Sequence, residues 1–189
     1  MKKTLYILVL TLLLFSLCSC KEKKTPFDYF ENVDAYHKKI NAVSVDGNGN
    51  RMTFTEEVWV EGNIAYTVGS SSYMGKKTKT YTEYLDDGYY MYEYNYNTSK
   101  WSKKYYSYSS SSSNNDFDRY DINNYEYDKS TEVYKVKGNI DTGIYSDFKV
   151  YMYDDNVVME YKIYDGTYNY TWKETYLDFD GNYNLSLPI

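Results

Sequence analysis

Cysteine, histidine and proline are nearly missing from this chain of 189 residues, which has two cysteines, one histidine and two prolines. Both cysteines, Cys18 and Cys20, fall in the N-terminal segment, so the rest folds without a disulfide, a thiolate nucleophile or a cysteine-bound metal. His37 has no second histidine and no thiol to act with, which argues against a catalytic triad and a transition-metal cluster. Alanine is scarce and glycine modest, whereas tyrosine occupies 28 positions. That balance favours pleated, half-buried strands over helices and predicts a mainly β protein.

No apolar run approaches the ~20 residues that a spanning helix needs. The one such run, Leu5 to Leu17, follows Lys2 and Lys3 and ends in "LCSC" (Leu17 to Cys20), the layout of an export signal. It resembles the bacterial lipoprotein lipobox. That resemblance implies a signal peptide over 1–19, a lipidated Cys20 as the first mature residue and a lipid-anchored place on the extracytoplasmic face of the cell membrane. Residues 20–25 then form a tether, whose Lys21, Lys23 and Lys24 suit anionic head groups. Removing 1–19 leaves 19 basic and 27 acidic side chains, a charge of −8. Such a chain repels phosphate backbones, so nucleic acid is excluded as a partner.

Thr25 as N-cap, Pro26 at the first helical position and Asp28 three after the cap predict a helix start. Phe27, Phe30, Val33, His37 and Ile40 recur at helical spacing, giving an N-terminal amphipathic helix over 26–41 with His37 packed under a sheet. After the turn-rich "DGNGN" at 46–50 the period changes to two, and Met52, Phe54, Val58 and Val60 share one face of a strand. Strands are expected at 64–68, 76–85, 89–96 and 101–108, then 132–137, 146–153, 157–164 and 168–179, with Gly, Asn and Asp between them. The Ser-rich stretch 107–116 reads as a crossing between two halves. The expectation is a single domain over 26–189: a curved antiparallel meander of about nine or ten strands, too many for one flat sheet.

Three constellations have simpler readings than chemistry. Asp46, Asn48, Asn50 and Glu57 echo an EF-hand loop, but Arg51 stands where glycine is required and a strand follows. The pairs Asp86-Asp87 and Asp154-Asp155 sit at turns, where aspartate serves the backbone. No catalytic residue, metal site or cofactor is expected, and the chain reads as a non-enzyme. The aromatics remain: Trp59, Trp101 and Trp172 with Tyr90, Tyr92 and Tyr94 could line a concave face for an apolar ligand, or could be core. With Asp87-Gly88 as a two-residue loop, Leu85 faces Tyr90, Glu83 faces Tyr92, Tyr81 faces Tyr94 and Lys79 faces Tyr96. A three-residue turn sets Tyr84, Thr82, Thr80 and Thr78 opposite them instead. In both registers the even-numbered tyrosines form a column.

"YLDDGYYMY" (84–92), "KWSKKYY" (100–106) and the close "YLDFDGNYNLSLPI" (176–189) resemble the small bacterial lipoproteins of the LolA and LppX group. The matching positions are Asp87-Gly88-Tyr89, Lys100-Trp101 and Leu187-Pro188. The resemblance implies an open half-barrel, helices across its concave side and a cavity for lipid or acyl chains. The leading expectation is therefore a membrane-anchored, non-enzymatic binding module for a lipid or other apolar ligand. The alternative is a structural or adhesive envelope protein that makes protein or glycan contacts through a Tyr-rich surface and has no internal site.

Overall fold

The computed structural model describes residues 24–46, 48–72, 75–108, 117–164, 166 and 168–188. The signal peptide, Cys20, most of the tether and nearly all of the Ser-rich crossing lie outside them. The chain forms eleven strands: β1 (Ala35–Val45), β2 (Arg51–Glu61), β3 (Ile64–Ser71), β4 (Lys76–Tyr84), β5 (Gly88–Asn95), β6 (Lys100–Ser107), β7 (Tyr125–Asp128), β8 (Val133–Val136), β9 (Tyr145–Tyr153), β10 (Asn156–Tyr164) and β11 (Asn169–Phe179). All belong to one open antiparallel sheet of order β6-β5-β4-β3-β2-β1-β11-β10-β9-β8-β7. The chain starts in the middle, meanders out to β6, reappears at the opposite edge as β7 and meanders back until β11 pairs with β1.

The predicted helix over 26–41 is not there. Pro26–Tyr29 make a single 3-10 turn, in which Asp28 accepts the Thr25 backbone N–H at 2.5 Å. Asn32, at φ 57°, leads the chain out of it. From Ala35 the same residues are strand, because a period of two runs through Tyr36, Lys38, Ile40, Ala42 and Ser44 beneath the helical spacing. β1 is hydrogen-bonded on both sides, to β2 and to β11. A helix could not serve both neighbours, and the backbone groups of the two meanders would be left without partners.

Strand register divides the side chains into two faces. The inner face carries Tyr36, Lys38, Ile40 and Ala42 of β1, Trp172, Glu174 and Tyr176 of β11, and Val157, Met159 and Tyr161 of β10. Over β7–β11 this face is covered. Phe27 meets Tyr125 at 4.8 Å, Phe30 meets Tyr176 at 4.8 Å, and Phe117 meets Phe148 at 5.5 Å. Val150, Val157, Met159 and Tyr176 are fully buried there, each contributing roughly 1.5–3 kcal/mol.

The sheet from β3 to β6 is different: among the described residues only Ala65, Gly88 and Tyr92 are buried there. The molecule thus has a two-layered half and a single-layered wing, joined through β1 and β2. The β4–β5 hairpin shows how tightly the wing is drawn. Its tip is Asp86-Asp87, with the Leu85 N–H donating to the Gly88 carbonyl at 2.8 Å. Tyr84 therefore faces Tyr89, Glu83 faces Tyr90 and Tyr81 faces Tyr92, a register that neither expected loop produces. Gly88 serves packing and not the turn: a Cβ there would sit 2.3 Å from the Tyr106 carbonyl oxygen and 2.6 Å from the Tyr105 hydroxyl. Gly88→Ala is expected to cost about 1–3 kcal/mol by overpacking, read as a lower denaturation midpoint. An unchanged midpoint would mean that β5 and β6 are not this close.

Candidate functional site

The outer face of β1–β6 carries one row of aromatics, and the inner face of the wing a smaller group of Tyr84, Tyr89 and Tyr106. His37 on β1 stacks on Trp59 of β2 at 4.6 Å and 5°. Trp59 stacks on Tyr66 of β3 at 5.5 Å, and Tyr66 meets Tyr81 of β4 at 4.6 Å. The row continues through Trp101 of β6, 5.5 Å from Tyr81, then Tyr94 of β5 at 5.1 Å and Tyr96 at 5.0 Å. In this second part neighbouring rings are inclined by 59°, 60° and 90°, so no ring is covered by a parallel neighbour. Each pair adds about 0.5–1.5 kcal/mol beyond area burial, which is how a single layer of strands holds together without a second one.

Lysines are set among these rings. Lys79 Nζ lies 5.4 Å from the Tyr94 centroid, 5.5 Å from Trp101 and 5.9 Å from Tyr66. Lys103 Nζ lies 3.7 Å over Tyr90 and 4.9 Å from Tyr92. The carboxylates on this face are already engaged. Glu83 accepts from the Tyr92 hydroxyl at 3.1 Å, Glu57 is 2.9 Å from His37 Nε2, and Glu61 accepts the Leu185 N–H at 2.8 Å. The tail after β11 thus closes one end of the row, with the Tyr183 ring 6.4 Å from His37. Burial and the nearby Asp178 push the Tyr183 hydroxyl up to about 12. The other end is open. Where β4 and β5 part beyond Thr80 and Glu93, a groove of about 650 Å³ runs between Lys76, Lys77 and Lys79 on one side and Tyr94 and Tyr96 on the other.

Of the six aromatics named from the sequence, Trp59, Trp101, Tyr90, Tyr92 and Tyr94 share the outer face. Trp172 is on the inner face, opposite Ala42 and Tyr161. His37, expected beneath the sheet, stands outside it. Sequence reasoning did not single out Tyr66 or Lys103, and it named Tyr81 and Lys79 only as cross-strand neighbours of the tyrosine column. Tyr66, Tyr81 and Lys79 each alternate correctly in their strands, but only the pairing of β2 through β6 aligns them with Trp59 and Trp101.

A second cluster lies on the inner face. Glu174, 2 % exposed, receives Lys38 Nζ at 2.8 Å, Arg119 Nη2 at 2.7 Å and the Tyr161 and Tyr176 hydroxyls at 2.5 and 3.0 Å. Burial would raise its pKa, but Lys38 and Arg119 outweigh burial and hold the carboxyl at about 2. Every bond it accepts comes from the protein itself, so it pins the 117–121 segment to the sheet. Asp46 is likewise taken up by its own loop, accepting Asn48 N–H, Asn50 N–H and Asn50 Nδ2 at 2.9, 2.8 and 2.7 Å. Among the described residues no three His, Cys, Asp or Glu side chains are grouped as a metal site.

No family model matches the chain, and no curated protein matches it.

Proposed function

We propose that the protein is a lipid-anchored, extracytoplasmic binding module, without enzymatic activity, that contacts glycan or protein through the outer aromatic face of β1–β6. The single observation behind this is the continuous row from His37 to Tyr96, capped at its His37 end by the tail after β11 and open from Tyr66 to Tyr96 on the single-layered wing. An apolar face kept open at the cost of solvation commonly marks an interaction surface. Uptake of lipid on the inner face is the weaker reading: five of the six candidate aromatics are elsewhere, and over β7–β11 the chain's own Phe27, Phe30 and Phe117 fill the inner face. The open half-barrel and the relationship to the LolA and LppX group belong to this proposal, supported by an antiparallel meander with one partly covered face.

Two measurements test it. Cys20→Ser is expected to move the protein from the membrane to the soluble fraction, and retention in the membrane would contradict the anchor. The same unlipidated form, examined by native mass spectrometry and with a fluorescent fatty acid, is expected to hold no lipid and to take none up. Stoichiometric lipid that disappears in Trp172→Ala would return the site to the inner face.

A further inference from the structure

Charge is segregated in this chain. β4, β5 and β6 together carry six lysines against two acids: Lys77, Lys79 and Lys103 share the outer face with Glu83, while Lys76, Lys100 and Lys104 share the inner face with Glu93. The whole chain has a net charge of −6, so the wing is a basic region on an acidic protein. Among the described residues none of these six lysines is ion-paired, whereas Lys38, Lys39, Lys135, Lys162 and Lys173 all are. Lys79 and Lys103 instead stand over aromatic rings, and Lys76, Lys77 and Lys79 border the groove between β4 and β5.

We infer that the outer face of the wing binds an anionic polysaccharide, a polymer of sugar rings bearing carboxylate, phosphate or sulfate groups. This rests on the surface-contact reading above and names its ligand class. The apolar C–H faces of a pyranose pack against Tyr81, Trp101 and Tyr94, tyrosine hydroxyls exchange hydrogen bonds with sugar hydroxyls, and unpaired ammonium groups meet the acid groups. A groove of this volume is in the range that small-ligand sites occupy. An acidic peptide fits less well. Peptides that add to sheets do so at an edge, through main-chain hydrogen bonds, whereas this surface is a sheet face that presents side chains. The row crosses six strands at about 4.8 Å each, which suits an extended polymer better than a single sugar.

The test compares carboxymethylcellulose with hydroxyethylcellulose, which share a backbone and differ in charge, and with poly-L-glutamate, which has charge without sugar rings. Calorimetry on the purified protein is expected to show carboxymethylcellulose bound at least about tenfold more tightly than either, with the preference shrinking as salt is raised. Lys79→Gln with Lys103→Gln should remove about tenfold of that affinity and leave hydroxyethylcellulose unaffected. Lys129→Gln, on the far side of the sheet, should change nothing. Trp101→Ala should weaken both cellulose derivatives, with circular dichroism confirming that the sheet is intact. Equal affinity for the two derivatives, unaltered by the lysine changes, overturns the anionic class and leaves the surface reading standing. Poly-L-glutamate bound as tightly as carboxymethylcellulose overturns the polysaccharide in favour of an acidic peptide. Binding that Trp101→Ala leaves untouched, or no binding to any of the three polymers, overturns both readings.

Discussion

Glu174→Ala is expected to lower the stability of the protein by about 3–5 kcal/mol, because it leaves two buried cations without their counter-charge. Lys38 and Arg119 both point at this carboxylate from within 2.8 Å, and their side chains are only 14 % and 21 % exposed. The Tyr161 and Tyr176 hydroxyls lose an acceptor in the same step. A domain with about 5–15 kcal/mol in hand feels this as a large fraction of its total. Denaturant unfolding measures it, and a double-mutant cycle with Arg119→Ala should be far from additive, since each change removes the same pair.

The pH dependence follows from the same residue. The folded carboxyl is held at about 2, below the ordinary 4.5, so its contribution is fully present above 4.5 and lost as pH falls through the folded value. Wild-type protein should therefore lose stability between pH 4.5 and 2, and Glu174→Gln should be flatter across that window. A variant that matches wild type in slope would show that the two cations do not act on Glu174.

Phe148→Ala is the second large effect, about 3–5 kcal/mol from lost packing and the cavity left behind. Phe148 is 4 % exposed, stacks on Tyr161 at 4.9 Å and 6°, and meets the edges of Phe117 and Tyr145 at 5.5 and 6.0 Å. Trp101 on the wing is a larger ring but only partly buried, so Trp101→Ala should cost less, about 1–2 kcal/mol. The order matters more than either value. If Trp101→Ala proved the more damaging, the wing and not β7–β11 would hold the principal core. Because β1 lies between β11 and β2, both variants should show a single unfolding transition.

Much of this architecture could be read from residue patterns. Strands β4 to β6 and β8 to β11 start and end within a residue or so of where alternation and turn residues place them. Asp154 and Asp155, the turn pair between β9 and β10, both take positive φ, 48° and 62°, as a tight hairpin requires. The N-terminal segment is ambiguous in sequence because Phe27, Phe30, Val33, His37 and Ile40 satisfy a helical period while Tyr36 to Ser44 satisfy a strand's. What decides between them is the demand of β2 and β11 for a strand in the gap, and that is long-range information. The face of each aromatic was hidden for the same reason. Trp172 and Trp59 alternate equally well within their strands, and only the pairing of β1 with both neighbours sets them on opposite sides. A bulge at Leu177, where the β1–β11 register slips between His37 and Lys38, moves every side chain beyond it to the other face.

The chain has three tryptophans, and Trp59 and Trp101 lie on the outer face while Trp172 lies on the inner one. Their three indole N–H signals in a nitrogen-15 correlation spectrum therefore report on the two faces separately. Titration with solubilised envelope glycan fragments is predicted to shift the Trp59 and Trp101 signals and leave Trp172 in place, while a long-chain fatty acid shifts none. A fatty acid that moves Trp172 while glycan leaves Trp59 and Trp101 still would contradict the assignment of function to the outer face.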